Sequence, residues 1–172
     1  GDYCNLNMKK LIIRNGKLYR TGKYQYTICV LYKNGIMKTV PKKDFDPEAE
    51  IANGAWHAWD FGPSFLAEDG SALTTFKDRT SVSGRNPRTA IGYYEPGHYC
   101  FITIGGRKNA YGVTFKEMSA FANSIGCKIA YNLDGGDSAV MVFGDKIVNE
   151  EYQGQGRKIT DIVFIADLPA EE

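Results

Sequence analysis

Acidic and hydroxyl side chains interrupt two apolar segments near the C-terminal end of the chain. The stretch IAYNLDGGDSAVMVFGDKIVN, residues 129–149, places Asp134, Asp137 and Ser138 between them. If 129–133 is a buried strand, Asp134 lies at its carboxyl end, where the chain leaves the sheet. A carboxylate held at the mouth of a sheet can act as a nucleophile, an acid or a base.

The two glycines of this stretch allow more than one interpretation. Gly135 and Gly136 can adopt backbone angles closed to other residues and let a ligand approach closely. Asp-Gly-Gly is also a common turn former, and its carboxylates would then cap backbone amides. A calcium loop of the EF-hand type is not supported, because the spacing of the Asp residues differs and no closing Glu follows.

Arginines recur where the sequence predicts strand ends. Arg85 and Arg88 occur in SGRNPRTAIGYY, Arg107 follows CFITIGG, and Arg157 precedes Asp161 in GQGRKITDIVF. Guanidinium groups that converge on one mouth would bind an anion, most naturally a phosphate, through forked hydrogen bonds. Taken singly, each arginine is equally consistent with a solvated side chain or one paired with a nearby acid.

The composition excludes several classes of function. Lys and Arg number 21 against 20 Asp and Glu, and no basic stripe indicates a nucleic-acid surface. No apolar run approaches the roughly 20 residues of a membrane-spanning helix. The four cysteines, at 4, 29, 100 and 127, lack metal-ligand spacing. Cys100 and Cys127 are predicted to be buried free thiols.

The turn signals predict a single α+β domain over 1–172, rich in antiparallel hairpins within a mixed or antiparallel sheet. Asn15-Gly16 and Asn34-Gly35 separate β-prone runs, and Asp69-Gly70 and Gly144-Asp145 are similar signals. Strands are predicted at 98–104 and 158–167. The sequence contains no internal repeat and no linker.

Two helices are predicted to pack against the sheet. Asp46-Pro47 gives an N-cap followed by proline in the first turn, and Gly54 offers a stop. Thr114 and Glu117 form a capping box that opens the second helix. Its core-facing stripe is predicted to comprise Phe115, Met118, Phe121, Ala122 and Ile125.

Several segments, taken in order, resemble the phosphodiester glycosidase family. GDYC resembles the family's N-G-D-Y/F-Y/F motif and LIIRNGKLYR its I-R-N-G-x-x-Y-R motif. WDFGPSFLAEDG is similar to the F-G-P segment of the bacterial branch, NPRTAIGY to N-P-R-T-A-I-G, and IGGR to D-G-R. The segment ending NLDGGDSAVM matches N-L-D-G-G-x-S-x-x-M. The resemblance therefore covers nearly the whole chain.

The resemblance implies hydrolysis of the bond between the anomeric carbon of an N-acetylglucosamine-like sugar and a phosphodiester oxygen, releasing free sugar and a phosphomonoester. It implies Asp134 as nucleophile or water-activating base, and Arg88 and Arg107 as phosphate contacts. Ser138 and Asn132 would orient the substrate or Asp134. The remaining substrate-binding candidates are Asn86, Thr89, Gly135, Gly136 and Arg157. The second carboxyl group would come from Asp2, Asp137 or Asp161.

The resemblance implies no cofactor, although the metal requirement is open, and the expected partner is a sugar-phosphate or other carbohydrate. The bacterial branch is often described as exopolysaccharide-associated, which implies an extracytoplasmic or cell-envelope location. The chain begins inside the first motif, so we expect a domain that lacks N-terminal strands of the full family domain. The oligomeric state is open.

Three departures from the family motifs support an alternative function. Asp137 stands where the family has a small residue, Gly105 where it often has Asp, and the leading Asn is missing. These changes would suit a non-catalytic glycan-binding domain of the same fold. A third possibility is a serine hydrolase that uses Ser138, but both histidines, His57 and His98, precede the serine, unlike the usual Asp-x-x-His order.

Overall fold

A computed structural model of the chain describes residues 10–24, 26–76, 83–106, 111–149, 158–159 and 161–166. These residues form an α+β fold in which every strand pairing is antiparallel, with two α-helices. The fold class predicted from the sequence is therefore confirmed.

The first half of the chain builds a five-stranded sheet. Its strands are β1 Ile12–Arg14, β2 Lys17–Arg20, β3 Ile28–Tyr32, β4 Met37–Val40 and β5 Ala55–Trp59, in the order β2-β1-β5-β3-β4. The Asn-Gly hairpins are confirmed. Asn15 and Gly16 both have positive φ, as a tight two-residue hairpin between right-twisted strands requires.

The second half builds a three-stranded sheet that carries the candidate site. Its strands are β6 Arg88–Glu95, β7 His98–Ile104 and β8 Ile129–Asn132, in the order β7-β6-β8. A separate hairpin pairs β9 Val142–Phe143 with β10 Lys146–Ile147. Gly144 and Asp145 form its turn, as the sequence predicts.

Both predicted helices are present with the caps that the sequence indicated. Helix α1 spans Pro47–Ala52, and the side chain of Asp46 accepts hydrogen bonds from the backbone N–H groups of Glu48 and Ala49. Helix α2 spans Phe115–Ser124. Thr114 and Glu117 cap each other's backbone there, which satisfies donors that a helix start leaves free.

The elements form four layers with three clusters of buried side chains. Helix α1 covers one face of the five-stranded sheet around Ile13, Ile28 and Val30. The two sheets meet face to face through Cys29, Met37, Trp59, Phe61, Ile91, Tyr93 and Tyr131. Helix α2 covers the outer face of the three-stranded sheet around Phe65, Ala90 and Met118. Burial on both faces therefore holds β6 and β8 in fixed register.

Two predictions about elements are corrected. The described residues of 158–167 adopt no strand and are exposed, because the structure gives them no partner strand. On α2, Phe121 and Ile125 are exposed, and Ser119 is buried instead. At 100° per residue, Phe121 lies about 110° from the centre of the buried stripe, so the predicted stripe was drawn too wide.

Candidate functional site

The register of the three-stranded sheet brings the Asp134 turn against the start of β6. Ala90 pairs with Asn132, and the N–H of Leu133 donates to the carbonyl of Thr89 at 2.9 Å. The next backbone bond joins the N–H of Gly136 to the carbonyl of Pro87, so the Asp134 turn lies against the start of β6 at Pro87 and Arg88. In strands, residues two apart share a face, so Arg88 and Asn132 belong with Ala90 and Ala130 to the face covered by α2.

Close backbone contacts hold the turn in this position. The hydroxyl of Thr89 donates to the carbonyl of Asp134, and the N–H of Gly136 donates to the carbonyl of Pro87 at 3.0 Å. A Cβ added to Gly135 would lie 2.5 Å from the same Pro87 oxygen and 3.6 Å from the Cα of Arg88. Glycine is needed at 135 because the strand ends approach this closely.

Asp134 is half-buried, and its carboxylate caps a backbone N–H group of the turn in which it lies. Its Oδ1 accepts a hydrogen bond from the N–H of Gly135 at 3.0 Å. The turn interpretation of the Asp-Gly-Gly motif is thus correct locally. A carboxylate has about four lone-pair sites on two oxygens, so this bond is compatible with a role toward a ligand.

Arg88 is almost entirely buried, with 5% of its surface exposed. Its Nε donates to the carbonyl of Val113 at 3.2 Å, and its Nη2 donates to the carbonyl of Gly84. The guanidinium carbon lies 4.2 Å from the centre of the Phe115 ring, a cation–π contact. Arg88 therefore joins β6, the 84–86 turn and the start of α2, while its Cα lies close to Gly135 of the Asp134 turn.

Asn132 is buried beside these residues, with 3% of its surface exposed. Its Nδ2 donates to the carbonyl of Gly62 at 2.8 Å, and its backbone N–H donates to the carbonyl of Pro63 at 3.0 Å. The Oδ1 of Asn132 has no hydrogen-bond partner among the described residues. A buried acceptor left in this way costs stability unless something else donates to it.

Asp137 and Ser138 lie in a short 3₁₀ turn, Gly136–Ser138, that follows the glycines. Asp137 is exposed and Ser138 is half-buried. The N–H of Ser138 donates to the carbonyl of Gly135 at 3.1 Å, which closes the turn. Both side chains therefore belong to the same loop as Asp134.

A second loop meets the site beside Arg88. Asn86 and Val113 exchange two backbone hydrogen bonds, of 3.2 and 3.1 Å. A Cβ at Gly112 would collide with Asn86, and one at Gly106 would collide with Gly112. Three loops therefore meet closely at the end of the sheet that carries Arg88 and Asp134.

Three predicted site residues lie outside the described part of the chain: Asp2, Arg107 and Arg157. Strand β7 ends at Ile104, which pairs with Arg88. The described backbone that leads toward position 107 thus starts at the same sheet end as the Asp134 turn.

Two charged residues from the sequence analysis pair with other charges. Asp161 forms an ion pair with Arg14, at the end of β1 in the five-stranded sheet. Arg85 forms an ion pair with Glu117 and donates to the carbonyl of Gly112 at 2.9 Å. The bond from Thr114 and the guanidinium of Arg85 both lower the pKa of Glu117. Arg85 therefore fits the interpretation of an arginine paired with an acid.

Both histidines of the chain contact aromatic rings. His98 stacks on Tyr94 and begins β7 at the far end of β6, and β6 is about 23 Å long at a rise of roughly 3.3 Å per residue. His57 lies on β5 between two tryptophan rings. The contacts described for the two histidines therefore give no support to a serine hydrolase, which needs a histidine beside its serine.

Two buried charged residues near the site, Asp60 and Lys10, were not predicted from the sequence. Asp60 is fully buried and Lys10 is 4% exposed, and the Lys10 ammonium lies 3.4 Å from the backbone carbonyl of Asp60. Asp60 lies two residues before Gly62, whose carbonyl accepts the Asn132 amide. The available signal was an acid directly after an apolar strand, the same signal that pointed to Asp134.

Neither a metal cluster nor a membrane span is found in the part of the chain that the structure describes. No group of three or more His, Cys, Asp or Glu residues there could hold a metal ion. None of the helices there has the length and apolar character to cross a bilayer.

Comparison with known proteins gives consistent results. The phosphodiester glycosidase family model matches residues 3–166. The SPbeta prophage-derived protein YomE of Bacillus subtilis strain 168 is 30% identical, over 96% of this chain and 27% of its own length. The zebrafish N-acetylglucosamine-1-phosphodiester alpha-N-acetylglucosaminidase catalytic domain, auto-inhibited by its pro-peptide, has a TM-score of 0.66 at 21% identity. That match covers 86% of this chain and 53% of the zebrafish chain. This chain therefore spans about half of the length of the zebrafish protein and about a quarter of the length of YomE.

Proposed function

Because the chain belongs to the phosphodiester glycosidase family, we propose that it hydrolyses the glycosidic bond of a sugar-1-phosphodiester. The products are the free sugar, of the N-acetylglucosamine type, and a phosphomonoester. The observation that carries the proposal is the pairing of β6 with β8, which brings the turn that carries Asp134 against the start of β6 at Arg88. A carboxylate and a guanidinium at one sheet end match the two parts of the substrate, an anomeric carbon and a phosphate.

The chemistry of the leaving group explains why a guanidinium is proposed at the phosphate and a carboxylate at the anomeric carbon. A phosphate leaves far more readily than an alcohol, so the reaction needs less proton donation and more stabilisation of negative charge. Fixed charges and dipoles aimed at developing charge are usually the largest catalytic contribution. Arg88 is buried and held by two backbone carbonyls, so its charge needs little reorganisation during the reaction. Arg107 and Arg157 are proposed as further phosphate contacts.

Asp134 is proposed as the nucleophile or as the base that activates water. Its carboxylate is half-buried and bonded to the N–H of Gly135, an arrangement that fixes its direction. Asp137, in the same loop and exposed, is the stronger of the two described candidates for the second carboxyl group. Asp2 remains a candidate. Asp161 is a weaker one because it pairs with Arg14.

The polar residues around Asp134 are proposed to position the substrate. Asn132 brings a buried acceptor that a hydroxyl or amide N–H of the sugar would satisfy. Thr89 holds the Asp134 carbonyl, and Ser138 lies in the same 3₁₀ turn. Asn86, Gly135 and Gly136 shape the loops that the substrate would meet. We further propose an extracytoplasmic location, which the resemblance to bacterial exopolysaccharide-associated members supports.

The substitution Asp134→Asn tests the assignment. Asn can still accept the hydrogen bond from the N–H of Gly135, so the turn and the fold should be retained. Release of free N-acetylglucosamine from its 1-phosphodiesters should fall by about 10²–10⁴-fold, the usual contribution of a general base. Asp44→Asn, at an exposed turn before α1, is the matched control and should keep the wild-type rate. A near-normal rate in Asp134→Asn would refute the assignment.

The same assay distinguishes hydrolysis from the alternative of glycan binding without catalysis, and it also tests whether the reaction needs a metal. A glycan-binding domain that has lost the reaction would bind N-acetylglucosamine derivatives, for example in a calorimetric titration, without releasing sugar. The departure at Asp137 favours this alternative. Parallel assays with a chelator and with added divalent cations would show whether turnover depends on a metal.

A further inference from the structure

Two thiols meet across the central strand of the three-stranded sheet. The Sγ atoms of Cys100 and Cys127 lie 3.8 Å apart, and both cysteines are free. Cys100 lies on β7 directly across from Gly92 of β6. Cys127 lies on the other side of β6, between α2 and β8, where its N–H donates to the carbonyl of Ala122.

Gly92 is what allows the two sulfur atoms to meet. A Cβ at this position would lie 2.6 Å from the Sγ of Cys100 and 2.7 Å from the Sγ of Cys127. Glycine weakens the interior of a strand, and its presence there often marks a close approach. At Gly92 the approaching groups are the two thiols.

We propose that Cys100 and Cys127 are a disulfide-forming pair. A disulfide has an S–S distance of about 2.05 Å, so each sulfur atom needs to move by only about 1 Å. The oxidant is a low-molecular-weight disulfide such as oxidised glutathione. The site lies at the α2 face of the three-stranded sheet, away from the Arg88 end of β6.

The reaction proceeds by two exchanges. Cys100, the less buried cysteine, loses its proton to water and attacks one sulfur of the oxidant. The oxidant's S–S bond breaks and one small thiolate leaves, which then takes up a proton. Cys127 next loses its proton and attacks the Sγ of Cys100, which expels the second small thiolate. Two protein thiols are oxidised, and one small disulfide is reduced to two thiols.

The surroundings predict that the pair reacts slowly at neutral pH. Burial raises the pKa of Cys127 to about 11, so this sulfur is protonated near pH 7. The hydroxyl of Tyr94 hydrogen-bonds with Cys100 and with Cys127, and these bonds raise the pKa of Tyr94. Since the thiolate is the nucleophile, the oxidation rate should increase with pH.

The test uses the full chain carrying Cys4→Ser, which leaves Cys29 as the only other thiol. The protein is incubated with oxidised glutathione at pH 8, then denatured and alkylated. We expect a mass lower by two hydrogen atoms before alkylation and one peptide pair linking Cys100 to Cys127. The linked protein should unfold at a temperature higher by about 5 to 10 °C. Adding Cys29→Ser should leave linkage unchanged, whereas Cys100→Ser and Cys127→Ser should each abolish it.

Gly92→Ala is an independent test of disulfide formation, because the added methyl group would hold the two sulfur atoms apart. Linkage should be slowed at least tenfold in this variant if it folds. Gly84→Ala, where an added Cβ meets nothing within 4 Å, should link at the wild-type rate. Two results would overturn the proposal: both thiols still reduced after incubation, or only mixed disulfides with glutathione. If Gly92→Ala does not fold, the serine variants alone decide the question.

Discussion

Arg88 and Asp134 show at the residue scale how a strand end can combine structure with chemistry. Arg88 begins β6, and the turn that carries Asp134 follows β8 and lies against that end of β6. Arg88 uses its guanidinium to hold Gly84, Val113 and Phe115. The sequence marked Arg88 as a candidate phosphate contact, but it did not reveal its burial, because burial depends on loops distant along the chain.

Arg88→Lys should separate charge from geometry. Lysine keeps the charge but loses the planar fork that binds the carbonyls of Gly84 and Val113 and the face that stacks on Phe115. The free energy of unfolding should fall by about 1–3 kcal/mol in urea denaturation. Arg85→Lys, at an exposed ion pair in the same turn, should change it by less than about 1 kcal/mol. Equal losses in both variants would contradict this account of Arg88.

His57 predicts a pH dependence of stability. Burial lowers its pKa from 6.5, and the charge of Arg14 lowers it further. The unfolded chain therefore binds a proton at a higher pH than the folded chain, so the free energy of unfolding should decrease as pH falls below about 6.5. Urea denaturation at intervals from pH 8 to pH 5 measures this. His57→Gln should flatten the curve between pH 6.5 and 5, and an unchanged slope would show that His57 is not its source.

At the scale of elements, the sequence predicted turns and helix caps correctly, but it did not predict which distant segments pair. The Asn-Gly turns, the Asp46 cap and the Thr114–Glu117 capping box depend on neighbouring residues, and the structure confirms them. The order of the strands and the place of Asp161 depend on partners far along the chain. The segment 158–167 has strand composition, but its described residues pair with no strand, so composition alone misled there.

Gly135→Ala tests the closeness of the β6 and β8 ends. The added methyl carbon would lie 2.5 Å from the Pro87 carbonyl oxygen, so the turn carrying Asp134 must shift. We expect a loss of about 1–3 kcal/mol in the free energy of unfolding. We also expect the rate of sugar release to fall below that of the Asp44→Asn control. Gly84→Ala, with open space at the added Cβ, is the matched comparison in stability. A fully stable and active Gly135→Ala protein would mean that the loops are not in contact.

At the scale of the whole molecule, the four layers bury three clusters but leave apolar side chains exposed in two segments near the C-terminal end of the described residues. Val142, Phe143 and Ile147 of the β9–β10 hairpin are exposed, as are Ile162, Phe164 and Ile165. A two-stranded hairpin has little stability of its own in water. The site end of the three-stranded sheet, in contrast, is supported by helix α2 and by the second sheet.

Phe143→Glu tests this exposed surface. Phe143 is 80% exposed, so the substitution should change the free energy of unfolding by no more than about 0.5 kcal/mol. Binding of a hydrophobic dye such as ANS to the folded protein should decrease, because the exposed apolar area shrinks. Tyr19→Glu, at an exposed ring on β2, is the control and should leave most of the dye fluorescence unchanged. A large loss of stability in Phe143→Glu would show that Phe143 is packed.

The position of bond cleavage tests the proposed reaction most directly. An N-acetylglucosamine-1-phosphodiester is hydrolysed in water enriched in ¹⁸O, and both products are analysed by mass spectrometry. The account predicts the label in the released sugar, because the bond at the anomeric carbon breaks, and predicts that Asp134→Asn releases almost no labelled sugar. Label in the phosphomonoester instead, or labelled sugar from Asp134→Asn at the wild-type rate, would contradict it.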